Sequence, residues 1–136
     1  MAKTWHEKLN SSHPAHVETM EKTMWGLPIG TKLFIAHPTM VKAYIEKIPL
    51  GKSKTVVEMR ELLAKKNKAD ATCPMTASIF VRIVAEAALD EMRAGASVSK
   101  ITPFWRIVDE KSTVAKKLSC GVEFIKKQRK AEGISR

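Results

Sequence analysis

The sequence predicts a mainly α-helical fold with a small β hairpin, arranged as a winged helix-turn-helix. Three observations lead there. Apolar residues recur at three- and four-residue steps in successive stretches, two of those stretches are joined by a short polar turn, and a β-rich apolar segment follows them. A length of 136 residues suits one domain with a real core. Residues 1–37 read as an N-terminal arm packed on the body and 38–136 as the domain proper.

Within the arm, residues 1–30 mix His, Pro, Ser and Gly with Trp5 and Trp25, which predicts irregular chain with one short helix around Val17 to Met24. The large area that a tryptophan buries makes both indoles anchors for the arm. Lys32 to Ala36 reads as a short strand closed by His37-Pro38.

The helical pattern begins at Pro38. Val41, Tyr44, Ile45 and Ile48 define one apolar face, and Pro49 and Gly51 stop it. Thr55-Val56-Val57-Glu58 is a capping box, in which hydroxyl and carboxylate each satisfy an orphan amide; Met59, Leu62 and Leu63 then supply the buried face to about Asn67. Pro74 fits the first turn of a long helix whose stripe is Ile79, Phe80, Ile83, Val84, Ala87 and Ala88, ending at Gly95. The polar turn Lys68 to Thr72 makes the last two a helix-turn-helix candidate. Ile101 to Val108 and Thr113 to Ala115, separated by Asp109 to Ser112, read as a hairpin or wing. Val122 to Glu132 forms a last helix, with Val122 and Ile125 inward and Lys126, Lys127, Arg129 and Lys130 on the other side.

Charge narrows the function. Lys and Arg number 24 against 14 Asp and Glu, a net charge of +10, which favours a polyanionic partner, most simply nucleic acid. Apolar residues at 44% and charged residues at 28% place the chain outside the disordered regime. Cys73 and Cys120 lack CxxC spacing, so neither a zinc site nor a disulfide framework is expected, and a reducing cytoplasm fits. His13 and His16 are three apart with no third ligand, so no metal or other cofactor is expected. The N-terminal stretch has no apolar signal region, and no apolar run reaches membrane-spanning length.

Three landmarks keep a familiar order: Ile48-Pro49-Leu50-Gly51-Lys52 running into the helix capped at Thr55, then Pro103-Phe104-Trp105-Arg106-Ile107-Val108, then Leu118-Ser119-Cys120-Gly121 through Glu132-Gly133. Over about residues 40 to 134 this resembles the C-terminal domain of O6-alkylguanine-DNA alkyltransferases, and more closely the alkyltransferase-like proteins that lack the reactive cysteine. The family's VPxGKVxTY entry is matched at Pro49, Gly51, Lys52 and Thr55, with Ile48 and Ser53 at its valines and Val56 at its tyrosine position. In its PCHRV strand, Phe104 takes the cysteine position and Trp105 the histidine position. Its YSGGLxxKxxLLxxEG element retains Ser119, Gly121, Glu132 and Gly133.

The resemblance implies a recognition helix in the minor groove of double-stranded DNA, a helix arginine filling the place of an extruded base, and a base pocket beside Phe104, Trp105, Arg106 and Glu132. The arginine position is Ser78 here, with Arg82 one turn later, so either Arg82 takes that role or base flipping is lost. Val81 replaces a family glycine that lets helix and DNA backbone approach closely. Lys52, Lys54, Arg82, Lys116, Lys117, Lys126 and Lys127 are the expected phosphate contacts, with Ser78 and Ser119 also on the nucleic-acid face.

Dealkylation needs an activated thiolate beside a flipped base, and neither Phe104 nor Trp105 can serve. The reading is therefore a non-catalytic DNA-binding protein that senses alkylated guanine or distorted duplex and signals to repair proteins. Phe104 and Trp105 either stack on an extruded base or fill the pocket as core. Arg106 is expected in a structural salt bridge, and Glu132 in a pair with a nearby Arg or Lys. The alternatives are an interaction or structural module with a closed pocket, and a thiol transferase using Cys120 or Cys73.

Overall fold

Side-chain caps set where the helices begin. In the computed structural model, which describes residues 3–134, α1 (Trp5–Leu9) starts at a Thr4/Glu7 capping box and α3 (Val56–Lys66) at the predicted Thr55/Glu58 box. His37 caps α2 (Pro38–Glu46): its Nδ1 accepts from the Thr39 amide at 3.1 Å while its Nε2–H donates to the Ser11 carbonyl at 2.8 Å, tying the arm to the body. Pro74 opens α4 (Pro74–Arg93), where a missing amide costs nothing. Ser112 caps α5 (Thr113–Lys117), and α6 (Val122–Ala131) follows after Gly121.

The fold is mainly helical with a small three-stranded sheet. α4 is its axis. From Val81 to Leu89 every residue except Arg82 is buried, because α1 and α2 pack on α4 along with α5 and the 104–106 turn. Val41, Ile45, Met59, Val84 and Ile125 are sealed in the same core, each contributing about 1.5–3 kcal/mol by burial. Val81 lies fully inside, so its side chain faces the protein core. Ile79, placed by its spacing on the inner stripe, is 48% exposed instead.

β1 (His16–Thr19) pairs antiparallel with β2 (Lys32–Ile35), Val17 opposite Phe34, and β2 pairs parallel with β3 (Ala71–Thr72), Phe34 opposite Thr72. The expected short helix over Val17 to Met24 is thus corrected to a strand and a tight turn. Val17 and Thr19 are β-branched, and β2 offers an edge to pair with. Met24 and Leu27 close a two-residue turn with Trp25 at φ 55° and Gly26 at φ 75°.

The expected wing is also corrected. Pro103 cannot donate to a strand ladder, and Phe104–Arg106 forms a 3-10 turn; Thr113–Lys117 is helical because Ser112 caps it. The hairpin of this fold is β1–β2, in the arm. Among the described residues no helix is long and apolar enough to cross a membrane.

Candidate nucleic-acid interface and the sealed aromatic turn

Two places gather the residues singled out from sequence. The first is the Phe104–Arg106 turn. Phe104 is fully buried and Trp105 is 3% exposed. Their rings meet edge to face at 5.3 Å between centroids, and Phe124 of α6 stacks on Phe104 at 6.1 Å and meets Trp105 edge-on at 6.2 Å. Neither ring offers a free face, so in this conformation the pair is core and the stacking alternative has no platform.

Polar bonds lock the turn from outside. Trp105 Nε1 donates to Glu132 Oε2 at 2.7 Å, Arg106 Nε donates to Glu132 Oε1 at 2.8 Å, and the other arm of the guanidinium reaches the Ile48 carbonyl at 2.7 Å. The Gly51 amide donates to Glu132 Oε1 at 3.2 Å, and the Lys54 amide to the Arg106 carbonyl at 2.9 Å. The salt bridges expected of Arg106 and Glu132 are therefore one and the same pair. Burial pushes the Glu132 pKa up, but the donors from Arg106, Trp105 and Gly51, with the Arg106 charge, outweigh it and hold the carboxyl below its ordinary range. A side chain at position 51 would be strained: Gly51 sits at φ 81°, and a Cβ would stand 3.2 Å from the Glu132 backbone carbonyl. Behind the turn, buried Arg129 donates to the Trp105 carbonyl at 2.7 Å and pairs with Glu110 at 3.5 Å.

The second place is a groove of about 510 Å³ along the N-terminal half of α4, walled by α1 and α5. It brings together Ser78, Arg82 and Lys117 from the sequence-derived set and adds Trp5, Lys8, Met75 and Ile79. Lys8, Arg82 and Lys117 are its charged lining, and no carboxylate is among its walls. A larger groove between α2 and α3, about 670 Å³, mixes Lys47, Lys54, Lys65 and Lys66 with Glu58 and Glu61.

The other expected contacts are dispersed. Lys52 and Lys54 are exposed at the entry to α3, Lys116 on α5, and Lys126 and Lys127 on α6, all outside the α4 groove. Ser119 is committed internally: its hydroxyl donates to Glu86, itself 2% exposed, accepts from Arg93, and its amide donates to Glu86 at 3.0 Å. These bonds hold the turn before α6 to α4, while the residue itself stays exposed.

Neither cysteine has the surroundings of a nucleophile. Cys73 is buried at 3% exposure at the start of α4. Burial, helped by the charge of Glu86, pushes the Cys120 thiol above its ordinary pKa. Among the described residues no three His, Cys, Asp or Glu side chains converge as metal ligands. Trp5 and Lys8 are the site residues that sequence reasoning missed, although Thr4-Trp5-His6-Glu7 carried a capping-box signal for α1. Comparisons with protein-family models, curated proteins and solved structures find no match to this chain.

Proposed function

We propose that this chain is a non-catalytic double-stranded DNA-binding protein of the alkyltransferase-like type, which grips the duplex through the N-terminal half of α4. The observation that carries this reading is the groove in which Ser78, Arg82 and Lys117 converge with Lys8 and no carboxylate. A wall of cations without anions is the electrostatic footprint of a polyanion, and the net charge of +10 agrees. Met75 and Ile79, exposed at 58% and 48% beside it, supply apolar surface for sugars and base edges. The absence of catalysis follows from Phe104 and Trp105 in the places where the resemblance puts a thiol and its base.

The sealed turn bears on what the protein senses. With Phe104 and Trp105 packed against Phe124, alkylated guanine has no open pocket there, so sensing of alkylated or distorted duplex requires that turn to open. The same closure favours the interaction-module alternative, in which the groove serves a protein partner.

Fluorescence anisotropy of a labelled duplex, with and without a single O6-methylguanine, tests the reading at two salt concentrations. Salt-sensitive binding to both duplexes is expected. Tighter binding to the modified duplex would mean that the aromatic turn opens, and no binding to either would refute the DNA reading and leave the interaction module.

A further inference from the structure

Arg82 is distinctive among the cations of this chain. Its Nε is buried from solvent and has no hydrogen-bond partner among the described residues. Its guanidinium carbon lies 5.4 Å from the centroid of the Trp5 ring, and Lys8 Nζ lies 4.4 Å from the same ring. One indole therefore stands within cation–π reach of two cations. A buried donor without an acceptor is unfavourable, and so is holding two like charges in a groove with no carboxylate. A bound anion relieves the repulsion between the two cations.

We propose that Trp5, Lys8 and Arg82 form a clamp for one phosphodiester of a nucleic-acid backbone, with Trp5 as the scaffold and the two cations as ligands. The inference rests on the DNA-binding reading and goes beyond it in two respects. It makes the N-terminal arm part of the interface, where sequence reading made Trp5 an anchor. It also chooses between the two roles that the sequence left to Arg82, phosphate contact and filler for an extruded base: a guanidinium held against the Trp5 ring is a phosphate ligand and does not fill the place of an extruded base. The planar fork of arginine suits two oxygens of a phosphodiester, and Lys8 adds a point charge beside it.

Duplex binding measured over a range of salt tests the clamp. Each phosphate neutralised contributes about 0.9 to the slope of log affinity against log salt, so Lys8→Gln with Arg82→Gln, which empties the one-phosphate clamp, lowers the slope by about 0.9. Lys22→Gln with Lys100→Gln, an equal charge loss at exposed positions outside the groove, leaves most of the slope intact. Trp5→Ala removes no charge yet also lowers the slope, because the cations lose their scaffold, and Trp5→Phe restores much of it. A Trp5→Ala slope equal to wild type, or a Lys8/Arg82 double variant no different from the Lys22/Lys100 control, overturns the clamp while leaving DNA binding in place. The Trp5 indole N–H resonance gives a second readout, assigned by substituting each tryptophan in turn. If it moves with inorganic phosphate while no duplex binds, the clamp stands and the DNA reading falls; if neither phosphate nor duplex moves it, the clamp is refuted.

Discussion

Replacing Glu132 should unfasten the aromatic turn, at a cost that can be worked from its contacts. The carboxylate accepts from Trp105 Nε1 at 2.7 Å, from Arg106 at 2.8 and 3.2 Å, and from the Gly51 amide at 3.2 Å. The side chains of Arg106 and Glu132 are only 14% and 10% exposed, so solvent screening is slight. Hydrogen bonds to charged groups are worth about 1.5–3 kcal/mol, and orphaning one member of a buried pair costs about 3–5 kcal/mol. Glu132→Ala is therefore expected to lose about 3–5 kcal/mol. Glu132→Gln, which keeps an acceptor for Trp105 but leaves Arg106 without an anion, should lose about 2–3 kcal/mol. Urea denaturation of the two variants and of Arg106→Met, closed into a double-mutant cycle, measures this directly. The Arg106/Glu132 double variant should cost less than the sum of its singles, with a coupling of about 1–3 kcal/mol. A Glu132→Ala loss under about 1 kcal/mol, or additive singles, would refute the structural role of the carboxylate.

Acidification should weaken the same region. Glu132 and Glu46 both have pKa values depressed in the folded state, each because donors outweigh burial: Arg106, Trp105 and Gly51 in the first, Lys42 and Thr102 in the second. Their stabilisation is complete above the unfolded carboxylate range, about 4.3, and is lost as pH falls through their folded values. Thermal melts from neutral to acid pH should show that loss, reduced in Glu132→Gln; an unchanged pH profile in the variant would exclude Glu132 as its source. Trp25 occupies a left-handed position at φ 55° just before Gly26, where Asn-Gly is the favoured pair. Trp25→Asn should gain about 1 kcal/mol, and a lower melting temperature would mean that the half-exposed indole packs more than it strains. Cys120, with its pKa raised by burial, should label slowly with iodoacetamide at neutral pH and carry no methyl adduct after exposure to alkylated duplex. A methyl adduct found by mass spectrometry would revive the thiol-transferase alternative.

Much of the helical framework was legible because caps and period agree. α2, α3, α4 and α6 all start and stop within a few residues of their signals, and the Thr55/Glu58 box forms as the spacing predicts. A salt bridge for Arg106 and a basic partner for Glu132 were each expected, but that the two are each other's partner depends on tertiary packing. The wing was not. Ile101, Ile107 and Val108 are apolar because they are buried around a 3-10 turn, and an apolar run looks the same whether a strand or a sealed turn buries it. β1 escaped notice because all its residues are exposed, which erases the alternation that marks a half-buried strand. Trp5 and Lys8 escaped because α1 has five residues and one buried position, too few to show a period. Their meeting with Arg82 depends on tertiary packing that no local pattern encodes.

The Glu132 contacts also bear on how long the folded state lasts. They join this position to Gly51, 81 residues earlier, and to Trp105 and Arg106, 27 and 26 residues earlier. Closing such loops costs chain entropy before any contact repays it, so the carboxylate is expected to dock after the locally encoded helices have assembled. An interaction absent from the folding barrier leaves the rate of folding alone and acts on escape from the native basin. Glu132 should then act as a latch on lifetime, with Glu132→Ala raising the unfolding rate at an unchanged folding rate and exposing Phe104 and Trp105 more often.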